Sequence, residues 1–502
     1  MGFASATFSH PRPLFIMSAA YSTDLLIDGK LSRGDAERLV VTDPARGVVL
    51  AEVGSASAAL AGRAAKASGE AASAMRAIAV AKRVELVRAL GAAVRAEAAA
   101  LASILTAESG KPIVEARGEV EYAATFFDNA AAAAEMAAGE MPAARAADRR
   151  ILVVREPVGA TFAITPWNFP LAMIARKLAP ALAAGCSQAV KPAEETPLAA
   201  LAFARLYERV AREVGAPAGA FSVVVGDAPT IARAFIEHPS TRKLTFTGST
   251  EVGRILAAQC APRLMRTALE LGGNAPFLVF ADADLDRAVE QAMLTKFRFM
   301  GQTCISANRF LLDAAIAGEF LARLEARMRA LVVGDPRDET TRIGPLINDA
   351  AIAKVERHVA NAIAGGARVR LGGTRVKIAG LADRFYAPTI LEGCGPTMAC
   401  ACEETFGPVV AAMTFSSERE AIELANGVSS GLAGYVMTQD ADRLLRVAEA
   451  LDCGVVGAND GAPSAAEAPF GGRKDSGLGR EGGTHGLDAY VDLKYISVRV
   501  RS

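Results

Sequence analysis

The chain has 502 residues, 51% of them hydrophobic, with 55 basic side chains balanced by 55 acidic ones. That length exceeds one simple core and predicts two or three domains. Zero net charge removes any general electrostatic motive for binding nucleic acid or an acidic membrane surface.

The opening stretch, MGFASATFSHPRPLFIMSAAYSTD, lacks a basic segment followed by an apolar one, so a signal peptide is not expected and residues 1–20 read as a loose extension. From Ser55 to about Ala107 an Ala-rich run carries charges at helical spacing, which predicts two or three amphipathic helices. From about Arg150 the texture changes. Short apolar or β-branched runs, ILVV, SQAVKP, FSVVVGD, KLTFTGS and APFLVF, alternate with helical stretches. Alternation of this kind predicts parallel βαβ units, whose ligands bind beyond the carboxyl ends of the strands. A second α/β texture follows Cys304, with strands near RFLLDA, ARVRL, APTIL and PVVAAMTF. The tail, AYVDLKYISVRV, is a long alternating strand with no local partner, the kind that completes a sheet elsewhere or in another subunit.

The seven cysteines are odd in number and irregularly spaced, which argues against a disulfide framework and for a reducing compartment, the cytoplasm. Cys394, Cys400 and Cys402 cluster, but with no neighbouring histidine and no zinc spacing, so no metal is expected. Cys304 differs from the others. It follows Gly301, Gln302 and Thr303 in KFRFMGQTCISANRF, a polar turn suited to a nucleophile. A nucleophile needs a base and an oxyanion donor. None of the four histidines sits in a motif-like setting, and the better base is Glu270, ahead of the Gly-Gly turn in LELGGNAPF. Asn168, held between Pro166 and Pro170 in TPWNFP, offers an amide for an oxyanion, although alone the segment reads equally as a structural turn. GSTEVG, Gly248 to Gly253, follows a strand and opens a helix, a place for phosphate, while Lys191 and Glu194 sit where a ribose would be held.

Taken together, TPWNFP, KPAEETP, FTGSTEVG, LELGGNAP, GQTC, EETFGPV and PFGGRKDSGLGRE resemble the aldehyde dehydrogenase superfamily, in one order over essentially the whole chain beyond the first 20 residues. The resemblance implies an α/β fold. A Rossmann-type cofactor domain would span residues 21–140 and 160–271, an α/β catalytic domain 272–470, and a small β oligomerisation arm 141–159 with 483–502. It implies Cys304 as the nucleophile, Asn168 as oxyanion donor, Glu270 as general base, and Glu481 and Lys177 in proton handling. It places Thr165, Pro166, Trp167, Lys191, Glu194, Gly248, Ser249, Glu404 and Phe406 around NAD. NADP is the alternative, disfavoured where Glu194 would meet a 2′-phosphate. The partners implied are a small semialdehyde and further copies of the chain, as homodimer or homotetramer.

Within the superfamily the likeness is closest to succinate-semialdehyde dehydrogenases, and the tail block VVGANDGAPSAAEAPFGGRKDSGLGREGG carries much of it. It assigns Arg176, Arg298 and Ser464 to the substrate's distal carboxylate, a task suited to the guanidinium fork. Glu467 stands one place later than usual after Ser464, which leaves glutarate semialdehyde or a related longer substrate as an alternative. A general aldehyde dehydrogenase and a catalytically inactive relative are the remaining alternatives.

Overall fold

The structure is a computed structural model that describes residues 21–501. The expected extension, residues 1–20, lies outside them. The Ala-rich segment forms three helices, Ala58–Ala77, Val80–Ala96 and Ala98–Ser109, and a fourth, Ile113–Met136, continues the layer. Alanines on these helices are buried because a methyl lets neighbouring backbones approach closely. Among the described residues no single helix is long and apolar enough to cross a membrane.

Two sheets organise the chain. The first has eight strands in the order Lys30–Ser32, Leu25–Ile27, Phe221–Val223, Ser187–Lys191, Ala160–Ile164, Thr241–Thr247, Arg266–Glu270, Gly477–Leu478. Its five central strands are parallel. In chain order they run 3-2-1-4-5, the doubly wound arrangement, so the order reverses between Ala160–Ile164 and Thr241–Thr247. A crevice opens at such a reversal, beyond the carboxyl ends of the two strands. The loops there begin at Thr165 and Gly248.

One expectation is corrected here. The run ILVV, which its texture put among the parallel strands and the resemblance put in an arm with the tail, is not a strand of this parallel sheet; that place belongs to Ala160–Ile164, fully buried. ILVV lies in Arg149–Pro157, which pairs antiparallel with the tail strand Val491–Arg499 as a separate two-stranded ribbon. The half-exposed side chains of Arg149–Pro157 fit a ribbon, whereas a central parallel strand is covered on both faces.

The second sheet orders Arg368–Leu371, Thr389–Glu392, Val409–Phe415, Ala307–Asp313, Ala275–Val279, Ala433–Met437 and Val455–Ala458, parallel except for its first strand. Each sheet has its own apolar core; one gathers residues up to Leu271 together with Ala466, Leu487 and Tyr490, and the other runs from Ala275 to Leu451. The Gly-Gly turn after Glu270 is therefore the passage between them.

Candidate active site

A cavity of about 370 Å³ lies where the two sheets meet, walled by loops from both. Of the residues singled out from the sequence, Pro166, Trp167, Asn168, Arg176, Gly248, Ser249, Glu270, Arg298, Cys304, Glu404, Phe406 and Ser464 line it. Thr165, Lys177, Lys191, Glu194 and Glu481 do not.

Cys304 owes its place to an unusual turn. The helix Leu285–Phe297 ends immediately before Arg298, which caps it. Phe299, Met300 and Gly301 then all take positive φ, at 46°, 54° and 75°. Two consecutive non-glycine residues in that region are strained and persist only where the surroundings hold them. The Glu115 carboxylate accepts the Phe299 N–H at 2.6 Å. At Gly301 a Cβ would collide with the Gly407 carbonyl. The Gln302 carbonyl accepts from Asn168 Nδ2 at 3.0 Å, which aims that amide beside Cys304.

Glu270 ends the strand Arg266–Glu270, is buried, and neither of its carboxylate oxygens has a partner. Burial, then the charge of Glu481, pushes its carboxyl well above the usual range, against the pull of Lys177, Arg176 and Arg480. Glu481 stands behind it, paired with Lys177 and accepting from Thr245 Oγ1 at 3.0 Å. Burial opposes ionisation of Glu481 too, but Lys177, Arg176 and these hydrogen bonds hold it below the usual value. Two neighbouring carboxylates are thus driven apart, one kept protonated and one ionised.

The thiol departs from the expected electropositive pocket. Burial, with the charges of Glu404 and Glu270, pushes Cys304 up to about 12, with Arg176 pulling the other way. The thiol of this form is neutral. Glu404, which accepts the Gly273 N–H at 3.3 Å, is itself raised to about 7 by burial. All three are acids, so a positively charged ring placed beside them, such as an oxidised nicotinamide, would favour their ionised forms. The remaining features fit a dinucleotide as well. Ser249 caps the helix Thr250–Cys260, whose start faces the cavity, and a Cβ on Gly248 would strike the Phe246 ring. Phe406, at φ 57°, meets Trp167 edge-on with ring centroids 5.4 Å apart. Lys191 Nζ donates to Glu194 at 2.7 Å at the end of the neighbouring strand. That pairing neutralises Glu194, so its repulsion of a 2′-phosphate is weaker than the sequence suggested.

At the other end of the cavity stand Arg176, Arg298 and Ser464. Arg176 donates to Ser464 Oγ at 3.2 Å and to the Tyr122 hydroxyl. The Arg298 guanidinium lies over the Phe169 ring at 4.9 Å. Neither arginine has a carboxylate within ion-pair distance among the described residues. Glu467 is exposed and does not line the cavity.

Several supports were missed from the sequence. Glu119 accepts the N–H groups of Leu171 and Ala172 at 3.0 and 3.2 Å, fixing the start of the helix Ala172–Ala184 that carries Arg176 and Lys177. Lys111 pairs with Glu119 and donates to the Asn168 carbonyl at 2.8 Å. Asn308 Nδ2 reaches Asn274 Oδ1 at 2.7 Å and the carbonyls of Cys400 and Glu403 at 3.0 Å, while Asn274 Nδ2 donates to the Ala401 carbonyl at 2.8 Å. Asn274 follows Glu270 by four residues, Asn308 follows Cys304 by four, and the carbonyls they grip precede Glu404 and Phe406. One buried amide pair ties together the chain segments of all three. Asn274 lay inside a motif already noticed; the others carry no local signal.

A family model described as the aldehyde dehydrogenase family matches residues 31–496. The 3-sulfolactaldehyde dehydrogenase of Pseudomonas putida is 45% identical over 471 residues, 94% of this chain and 96% of that protein. The succinate-semialdehyde dehydrogenase [NADP(+)] of Escherichia coli (strain K12) is 47% identical over 398 residues, 79% of this chain and 81% of that one. A crystal structure of succinate-semialdehyde dehydrogenase from Burkholderia pseudomallei superposes with TM-score 0.93 at 46% identity, covering 97% of this chain and 100% of the other.

Proposed function

Because the chain belongs to the aldehyde dehydrogenase family, we propose that it oxidises an aldehyde bearing a distal anion to the acid, with succinate semialdehyde leading among the carboxylate-bearing aldehydes, ahead of glutarate semialdehyde. The observation that carries this is the pair of guanidiniums, Arg176 and Arg298, in the Cys304 cavity without a carboxylate partner. Arg176 is buried and Arg298 half-buried, and a cation so far removed from water without an ion-pair partner is costly unless its ligand brings the countercharge. The names of the relatives carry a carboxylate in one case and a sulfonate in another, and both are anions at a distance from an aldehyde.

Cys304 releases its thiol proton to the water of the cavity and, as the thiolate, attacks the aldehyde carbon to form a thiohemiacetal. The Asn168 amide and the Cys304 N–H hold its oxyanion. NAD or NADP, when bound between the loops of Thr165–Asn168 and Gly248–Ser249 and the turn of Glu404 and Phe406, supplies the hydride acceptor. The acyl group then remains on Cys304 as a thioester. Glu270 takes a proton from water, which attacks the thioester and releases the acid with the Cys304 thiolate restored. Glu481, held ionised by Lys177, is the carboxylate placed to take the proton from Glu270 and return the base to use.

Initial rates with succinate semialdehyde, glutarate semialdehyde and butanal, each with NAD and NADP, test the reading. The anionic aldehydes should be preferred, and Arg298→Ala should lose about 100-fold of that preference, about 3 kcal/mol. Equal rates on butanal, unchanged in Arg298→Ala, would leave only a general aldehyde dehydrogenase. The ribbon of Arg149–Pro157 and Val491–Arg499 exposes Leu493 and Tyr495. We assign it to association with further copies of the chain, as dimer or tetramer, and place the enzyme in the cytoplasm, where Cys304 stays reduced.

A further inference from the structure

Tyr122 stands far from every motif, on the helix Ile113–Met136, yet it lines the cavity between the two arginines. Its ring centroid lies 5.7 Å from the guanidinium carbon of Arg176 and 5.7 Å from that of Arg298. The ring is held edge-on against Phe126, centroids 4.8 Å apart. Its hydroxyl sits 2.6 Å from Ser464 Oγ and accepts an N–H from Arg176. One phenol therefore touches every group assigned to the distal anion.

The arrangement has more donors than a carboxylate can use. A carboxylate offers two oxygens in one plane, which guanidinium forks fill. The hydroxyls of Tyr122 and Ser464 then remain, each satisfying the other while the cavity is free of substrate. A tetrahedral anion brings a third oxygen out of that plane, and the paired hydroxyls are the donors left to meet it. A site built to hydrogen-bond an oxygen discriminates strongly against a ligand that lacks it.

We infer that Tyr122 is a substrate contact that sets the preference between distal anions, its hydroxyl favouring a sulfonate-bearing aldehyde over the carboxylate of the same length. This rests on the reading of Arg176 and Arg298 as an anion site. The chemistry at Cys304 is untouched by it; Tyr122 acts at the far end of the substrate.

The test compares wild type and Tyr122→Phe on three matched aldehydes: succinate semialdehyde, 3-oxopropane-1-sulfonate and butanal. Wild type should favour the sulfonate over the carboxylate. The variant should lose on the order of tenfold in kcat/KM on the sulfonate, carried by KM, at most about threefold on the carboxylate, and nothing on butanal. Competitive inhibition by propane-1-sulfonate and by butyrate supplies a readout without turnover, and only the sulfonate should weaken in the variant. Equal losses on all three aldehydes, or on both anions, would overturn the inference, as would a wild-type preference for the carboxylate. A wild type indifferent between butanal and both anions overturns the anion site itself, a failure visible before any variant is made.

Discussion

Glu270 enters the reaction as a carboxyl that burial and the nearby Glu481 keep protonated well above the ordinary range. It becomes a base only as the pH rises through that raised value, so hydrolysis of the thioester should quicken with pH and the limb should vanish in Glu270→Gln. The variant should still complete one turnover per site, seen as a burst of reduced cofactor, and then slow by about 100-fold or more, as loss of a general base does. Absence of the burst would place Glu270 in the first half of the reaction instead. That Cys304, Glu270 and Asn168 would meet in one cavity was legible only from seven motifs in one order; alone, a carboxylate before Gly-Gly reads as a cap and an amide between prolines as a turn. Tyr122, Lys111 and Glu119 were not, since each is an ordinary residue on or beside a long helix. Their roles arise only when that helix packs against the cavity.

At the scale of elements, the site depends on turns that the chain would not adopt by itself. Phe299 and Met300 stay left-handed because Glu115 holds the N–H of one and the Gly407 carbonyl crowds the glycine that follows. The Asn274–Asn308 pair does similar work from below. Asn308→Asp keeps the shape but sets an oxygen against the carbonyls of Cys400 and Glu403, groups that accept and cannot donate. We expect it to raise KM for the dinucleotide by about tenfold, with a smaller change in KM for the aldehyde, because the gripped carbonyls lead into Glu404 and Phe406. An equal rise in both constants, or a loss of kcat alone, would assign the pair to general packing. Strand identity was harder to read than strand existence. ILVV and the segment Ala160–Ile164 are both short apolar runs, and only the covering layers separate a ribbon from the centre of a sheet.

Across the whole molecule, several carboxyls are buried with partners that satisfy but do not neutralise them. Glu108 accepts the N–H groups of Leu198 and Ala199 at 2.7 and 3.0 Å and is pushed up by burial from 4.5 to about 8. Glu115 and Glu404, half-buried, are raised to about 7, removal from water again the largest cause. Each binds its proton more tightly folded than unfolded, so their stabilisation is complete below pH 4.5 and is lost as pH rises through 7 to 8. The melting temperature should therefore fall between pH 5 and pH 8. Glu108→Gln cannot ionise but keeps an oxygen for only one of the two N–H groups, so it should start from a lower melting temperature and flatten the fall between pH 5 and pH 8. A variant whose melting curve tracks wild type over that range would show that Glu108 is not the group responsible.

The reversal of strand order has a consequence of a different kind. Ala160–Ile164 and Thr241–Thr247 lie side by side, yet three helices and two strands separate them along the chain. Contacts between such distant segments must wait for loop closure and form slowly, while the helices Val80–Ala96 and Ala98–Ser109 find their main partner in the nearby helix Ile113–Met136. The cofactor crevice exists only once that late pairing is made, and Cys304 then needs the second sheet docked against it. A chain stalled on the way to the native state can thus hold nearly all its helix and have no active site at all. Activity becomes the last property acquired on folding and the first lost on unfolding.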